Sequence, residues 1–493
     1  MRPRYDIPRV RLRNSRHRFA IIWATCAVVF AWAGWRALQI SRALHGHDAA
    51  ALLWTALFLS AGHQITLAWL DKPFTVTPRQ QAMLDRLRVC VNVPVYNEDP
   101  ATLDRTLYAL FHQTRLPDRV QVVDDGSTTS DYARVRDYWL ARVPTRVDFT
   151  WVRTPNRGKR HAQAVTFHRD RSDILVTVDS DTTLELRALE EGLKPFANRR
   201  VQSVAGIEVA YNAHANLLTR IGSLRQLAWQ LTQCCVLSMA GDVLVNRGTF
   251  ALYRGPVIRD NLGAYVSETF LGRQVRFSDD SLLTLFALQR GRAVQQLTAF
   301  QLPMYPEKVS HALRQWLRWM RGSTIRNFWR LRYLPMSSYG WWMSLLSWWQ
   351  LAISSVAYLW VFVWRPLEGH FSITPIMIVL LSSYLVTMRS LLIARSDHSA
   401  VSQLDTYLLA PLNLIWSLLV LRPLRLWGML TCARTHWGTR QQVEVAITRR
   451  EAALPAPAMN GSLPRRRDHA EPLYRPGPGA QTPARGGPSA GSR

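Results

Sequence analysis

The chain has 493 residues, 48% hydrophobic and 19% charged, with 20 tryptophans and a formal charge of +27. That length exceeds one ordinary domain and points to two or three modules. Its five cysteines, Cys26, Cys90, Cys234, Cys235 and Cys432, form no CxxC pair and imply no disulfide framework. The charge would suit nucleic acid, but no recognition helix, zinc-ligand spacing or aromatic sheet motif is present. An anionic membrane surface is the expected partner, and nucleic acid is not.

Residues 1–18 form a basic N-terminus whose seven arginines stop where an apolar run begins at 20. This start is too basic and too long for a typical cleaved signal, so the run reads as a retained anchor. Apolar segments at 19–38 and 49–70 are each near the roughly 20 residues a spanning helix needs. They predict two transmembrane helices that return the chain to the cytoplasm. Residues 71–309 change to the composition of a soluble α/β domain. Strand-length apolar runs fall at 88–95, 119–123, 149–152, 174–178 and 203–209, with helix-like stretches at 100–113 and 159–167 between several of them. The alternation predicts a mostly parallel sheet covered by helices, with ligands beyond the C-terminal strand ends. Residues 310–335, rich in Trp, Arg and Leu at helical spacing, predict an interfacial amphipathic helix. Apolar segments at 340–364, 372–394 and 407–432 predict C-terminal transmembrane helices within 336–434. The last is interrupted by Arg422, Pro423 and Arg425. Three crossings would leave the tail outside, whereas its arginines argue for the inside. The interrupted segment therefore either crosses twice in short pieces or lies partly in the interface. Residues 435–451 carry Trp437-Gly438-Thr439-Arg440, and the Pro-, Gly- and Arg-rich stretch 452–493 is expected to be disordered.

Six motifs carry chemistry. Tyr96-Asn97-Glu98 closes the first strand, where Tyr96 and Glu98 can stand near a nucleoside; a plain strand-to-helix turn is the competing reading. Asp124-Asp125-Gly126-Ser127 closes the second, where carboxylates can accept hydrogen bonds from a base or ribose and Gly126 lets the backbone pass close to a ligand. An ordinary Asp-Gly turn competes. Asn156-Arg157-Gly158-Lys159-Arg160 puts cations at a helix start, where they can meet a diphosphate or an acidic sugar. Asp179-Ser180-Asp181 follows the strand at 174–178, and two carboxylates so spaced can hold a hard cation, Mg²⁺ or Mn²⁺. Ser278-Asp279-Asp280-Ser281 precedes a helix-like run at 282–289. One of its acids can serve as general base toward an acceptor hydroxyl, or Ser278 or Asp279 can cap the helix. Gln315, Arg318 and Trp319 share one helix face, offering an amide, a phosphate-binding fork and an aromatic platform, or else a membrane anchor.

The order and spacing of these six motifs resemble the processive family-2 glycosyltransferases, most of all the hyaluronan synthases. Thr269-Phe270-Leu271-Gly272, the Pro-Leu-Arg-Leu end of residues 408–426, and Trp437-Gly438-Thr439-Arg440 add to the likeness. The resemblance covers about 89–440. It implies a GT-A domain below a small membrane channel, at the plasma membrane and with the catalytic domain cytoplasmic. It further implies a UDP-sugar donor, a growing polysaccharide and a divalent metal held by Asp179 and Asp181. Asp280 would be the base with Asp279 beside it. Asp124, Asp125, Lys159, Arg160, Asp179, Gln315, Arg318, Trp437 and Arg440 would face the donor, and Trp319 the acceptor. The chain departs from hyaluronan synthases where Ser278 and Ser281 flank the acids, at residues 246–252 before Tyr253-Arg254, and where Arg314 precedes Gln315. A single-sugar lipid transferase, a chitin-type synthase and an inactive nucleotide- or polyanion-binding protein are the alternatives.

Overall fold

The computed structural model describes residues 5–13, 16–43, 62–371 and 373–435. Residues 44–61 of the predicted N-terminal hairpin lie outside them, as do Trp437, Arg440 and the predicted disordered tail.

The centre is an eight-stranded sheet built from β1 (Val89–Val95), β2 (Arg119–Asp124), β3 (Asp148–Arg153), β4 (Ile174–Val178), β5 (Thr182–Leu184), β6 (Val201–Glu208), β7 (Phe250–Arg254) and β8 (Arg292–Pro303). Its spatial order is β3-β2-β1-β4-β7-β6-β8-β5. The first four strands are parallel, as the alternation predicts. Beyond them the sheet is mixed, which corrects the expectation of a mostly parallel one. β7 runs antiparallel to both β4 and β6, and β5 antiparallel to β8. β7 and β8 are absent from the predicted runs. β8 is interrupted by buried glutamines, and β5, also absent from those runs, is only three residues long. Gln296 accepts from Phe74 N–H at 2.9 Å and donates to Phe74 O at 3.0 Å, and Gln295 donates to Gln230 O at 3.1 Å. A polar strand is affordable here because its amides satisfy neighbouring backbone.

β1 and β4 are buried at every residue, which is why each reads as an apolar run broken only by Asn92 and Thr177. Helix α1 (Pro100–Phe111) starts on Asp99, whose side chain accepts from Thr102 N–H at 3.0 Å, with Pro100 at the position that needs no N–H. Parallel strands separated by such helices bring the C-terminal ends of β1, β2 and β4 to one rim.

Residues 5–13 do more than carry charge. Tyr5, Ile7 and Val10 are buried, Tyr5 Oη donates to Asp104 Oδ2 at 2.5 Å, and Val10–Leu12 pairs antiparallel with Ile393–Arg395. A helix spans Arg16–Ala43.

After the sheet come helix α2 (Val309–Tyr333) and a set of apolar helices. Among the described residues two helices, Tyr339–Leu367 and Ala400–Leu430, are long and apolar enough to cross a membrane, with a shorter apolar one at Val379–Leu392. Each long helix contains one wide π-turn, Trp360–Trp364 and Ser417–Leu421. Both turns sit immediately before an Arg-Pro pair, Arg365-Pro366 and Arg422-Pro423. Proline lacks an N–H and its ring pushes away the carbonyl four residues back, so the helix widens by one turn instead of stopping. The interruption read from Arg422 and Pro423 is thus absorbed within one helical path. Arg422 donates to Ser354 Oγ at 2.7 Å and Ser355 Oγ at 2.9 Å on the neighbouring helix.

Candidate active site

At the rim, the Tyr-Asn-Glu and Asp-Asp-Gly-Ser turns lock together. Asn97, in a left-handed conformation, accepts from Thr128 and Thr129 N–H at 2.9 and 3.1 Å, and its own N–H donates to Ser127 Oγ at 3.0 Å. Asp124 accepts from Ser127 N–H at 2.9 Å and pairs with Arg153 at 3.5 Å. Asp125 accepts from Arg157 N–H at 3.0 Å and Gly158 N–H at 2.9 Å, so it pins the loop that carries Lys159. Burial raises the Asp125 pKa, and those two N–H groups oppose the rise. Gly126 is tight for a reason other than ligand approach. A Cβ there would meet Asn156 N at 2.7 Å, so its φ of 72° serves loop-on-loop packing.

The Asp-x-Asp and Asp-Asp motifs meet through Lys159. Its Nζ lies 2.7 Å from Asp179 Oδ1 and 3.1 Å from Asp279 Oδ2. Burial disfavours the ammonium, but the two carboxylates outweigh it and raise the lysine pKa, so it stays charged. Asp279 is raised by burial but brought below the usual range by Lys159 and Arg160. Its neighbour Asp280 is pushed up to about 6 by burial and by the Asp279 charge. Two adjacent acids are thereby driven apart, one held ionised and the other tuned toward neutral pH. Ser278 occupies the cap position of the helix Asp279–Leu288 in a left-handed conformation and makes no side-chain cap. Ser278 therefore does not cap this helix, and both acids stand in its first turn.

One cavity of about 1090 Å³ gathers Tyr96, Asp125, Lys159, Asp179, Asp181 and the Asp279-Asp280 pair. Gln315, Arg318 and Trp319 line it from α2, with the rings of Trp316 and Trp319 6.0 Å apart and edge to face. Three expected donor residues stand off the cavity. Glu98 is buried, accepting from Ser180 Oγ at 3.2 Å between the two acids of the Asp-x-Asp motif. Asp124 braces its turn. Arg160 points the other way, to Glu268 at 2.7 Å and Phe277 O at 2.6 Å. Arg326 of α2 pairs with the same Glu268 at 2.8 Å, so Arg160 ties the Asp-Asp segment to the helix.

Sequence reasoning missed Gly248. A Cβ there would lie 3.1 Å from Lys159 Nζ and 3.7 Å from both Asp179 Oδ1 and Asp279 Oδ2, so a side chain at 248 would crowd the lysine cluster. It also missed Glu208, Arg225, Arg247 and Tyr305, which line the same cavity. Glu208 could have been found by the rule that found the others, an acid at the end of a strand, but it stands alone inside an apolar run.

Among the described residues no group of three or more His, Cys, Asp or Glu is arranged to hold a metal. Asp179 and Asp181 fit the alternative, a hard cation bound by two carboxylates and otherwise by ligand oxygens and water. Burial raises the Asp179 pKa, Lys159 opposes the rise, and the charges of Asp181 and Asp279 add to it, so the lysine only partly offsets the negative charge there.

A mixed α/β sheet with carboxylates at its strand ends is the GT-A-like arrangement of sugar transferases. Residues 90–260 match the model of Glycosyl transferase family 2. A hyaluronan synthase of Streptococcus pyogenes serotype M3 is 31% identical over 395 residues, 78% of this chain and 88% of that one. An N-acetylglucosaminyltransferase of Azorhizobium caulinodans is 32% identical over 243 residues, 49% of this chain and 60% of its own. The mannosyltransferase PcManGT from Pyrobaculum calidifontis, solved with GDP-Man and Mn²⁺, covers 78% of this chain and 94% of its own at 20% identity and a TM-score of 0.44, too loose a likeness to argue from. The chain belongs to the family-2 glycosyltransferases, as a hyaluronan synthase-like enzyme.

Proposed function

We propose that the protein is a processive polysaccharide synthase that alternates UDP-N-acetylglucosamine and UDP-glucuronate and exports the product across the plasma membrane, its catalytic domain facing the cytoplasm. The observation that carries this reading is the single cavity. It holds the acids of the sheet rim and the Gln-x-x-Arg-Trp face together, and its lining continues to Gln350, Ser354, Ser417 and Arg422 between the two helices long enough to span a membrane. That continuation gives a growing chain a path from the acids to the membrane helices.

In this mechanism Asp280 takes the proton of the acceptor hydroxyl. The freed oxygen attacks the anomeric carbon from the face opposite UDP. The bond from that carbon to the diphosphate breaks, and UDP leaves with the electron pair. Asp279 keeps its charge beside Lys159 and so sets the basicity of Asp280. Arg318 faces the departing diphosphate, Gln315 its oxygens, and Trp319 the acceptor sugar. Asp179 and Asp181 would hold Mg²⁺ or Mn²⁺, which neutralises charge on the leaving diphosphate. Tyr96 and Asp125 lie on the nucleoside side. Glu98 acts through Ser180, and Asp124 and Arg160 by bracing their loops.

The test is incubation of the purified full-length protein with UDP-N-acetylglucosamine, UDP-glucuronate, or both, with Mg²⁺ or Mn²⁺. Polymer that forms only from the pair and is cut by hyaluronidase is the expected result. Polymer from UDP-N-acetylglucosamine alone that chitinase cuts would replace it with the second reading, which the N-acetylglucosaminyltransferase relative supports.

A further inference from the structure

The cavity holds a second polar cluster that the proposed reaction leaves unused. Arg247 adjoins the glycine that abuts Lys159, and so stands beside the Lys159–Asp179–Asp279 group. Its guanidinium pairs with Glu208 at 3.4 Å, donates to Gln230 Oε1 at 2.9 Å and lies over the Trp229 ring at 4.7 Å. The other Glu208 oxygen accepts from Tyr305 Oη at 2.6 Å. On the next part of the wall Arg225, from the helix Leu217–Trp229, lies over the Trp316 ring at 4.2 Å. Among the described residues no hydrogen bond or ion pair engages the Arg225 guanidinium. Burial pulls its pKa down to about 10, and Tyr305 and Glu208 only partly offset the pull.

The carboxylate of this cluster, Glu208, is committed to Arg247 and Tyr305. Arg225 is half-buried and faces the cavity, and among the described residues no carboxylate lies within ion-pair distance of it, so an anionic ligand group is the counterion this wall lacks. A carboxylate supplies one charge and matches the planar fork of an arginine. A diphosphate would bring more than one charge next to Glu208, Asp179 and Asp181. Trp316, which Arg225 covers, is one helical turn from Trp319, so a saccharide resting on these rings runs past Arg225.

We infer that Arg225, with Arg247 and Tyr305 behind it, forms a carboxylate-binding subsite that selects a uronate in the acceptor chain. This rests on the polymerase reading and names what that cavity distinguishes.

The test uses full-length protein and two acceptors, a glucuronate–N-acetylglucosamine oligosaccharide and the same oligosaccharide with its carboxyl groups reduced to neutral alcohols. UDP release is followed against acceptor concentration, and UDP affinity is measured separately. The wild type should need at least about tenfold more of the neutral acceptor, the value of one charge-assisted hydrogen-bonded pair. Arg225→Gln should lose that preference by weakening only the charged acceptor, with UDP affinity and melting temperature unchanged. Arg225→Lys should restore part of it. The proposal is overturned if Arg225→Gln prefers the charged acceptor as the wild type does, or if the wild type has no preference. It is equally overturned if UDP affinity falls in proportion, which would put the guanidinium on the donor diphosphate. Should the wild type release no UDP from any UDP-sugar, the polymerase reading fails by itself. Direct binding of the two oligosaccharides, judged by the same tenfold criterion, then decides the subsite.

Discussion

The two walls of the cavity are made by opposite means. On the sheet side three acids at strand ends or in a first helical turn are held by short bonds: Asp125 by two backbone N–H groups, Asp179 and Asp279 by Lys159. On the helical side Gln315, Arg318 and Trp319 project from a long helix, and Arg225 lies over Trp316 without a polar partner among the described residues. The stiff wall suits chemistry, which tolerates little displacement, and the side-chain wall suits choosing a sugar.

The sharpest way to break this comparison is Asp280→Asn. It should cut transfer by about a hundredfold to ten-thousandfold while leaving UDP affinity unchanged, since only the proton acceptor is lost. Near-normal UDP release from that variant would remove the base from the stiff wall. Gly248→Val comes next. It drives a side chain into the Lys159–Asp179–Asp279 cluster and should lower turnover by roughly a hundredfold, the cost of a displacement near 1 Å. Circular dichroism should show an unaltered fold, and wild-type turnover would mean the cluster is slack. Asp181→Ala should weaken UDP binding about tenfold in Mg²⁺ or Mn²⁺ and little in chelator, as one lost charge contact predicts. Equal affinities with and without metal would end the metal role.

The pH profile sharpens the division of labour between the paired acids. Asp280 must be ionised to take a proton, and its pKa is raised to about 6. Activity should therefore be full above that value and drop about tenfold per unit well below it. A profile flat down to pH 4.5 would show that the Asp279 charge does not tune its neighbour. The smallest effect expected is that of Glu98→Gln, a few-fold loss of turnover and about 1 kcal/mol of stability, because it stands off the cavity and meets the Asp-x-Asp motif at Ser180. A loss as large as that of Asp280→Asn would place Glu98 on the ligand.

The sheet wall was legible because its code is local. An apolar run ending in Asp-Asp-Gly or Asp-x-Asp states both the strand and what stands at its end. Glu98 and Arg160 share motifs with cavity residues but turn to Ser180 and Glu268, which no local pattern states. The helical wall was half legible, since i, i+3, i+4 spacing gave Gln315, Arg318 and Trp319 a common face. Arg225 and Tyr305 carry no such pattern, and only packing brings them to Glu208 and Trp316.

By itself the sequence determined the parallel half of the sheet, the motif order, the family and, of the five expected spans, the two C-terminal helices Tyr339–Leu367 and Ala400–Leu430, because each depends on residues near one another in the chain. Only the tertiary structure decided that β7 and β5 run backwards, that Lys159 joins two acids 100 residues apart, and that Gly248 leaves room for it. Those facts are distances between distant segments, which folding sets through packing and charge rather than through any local pattern.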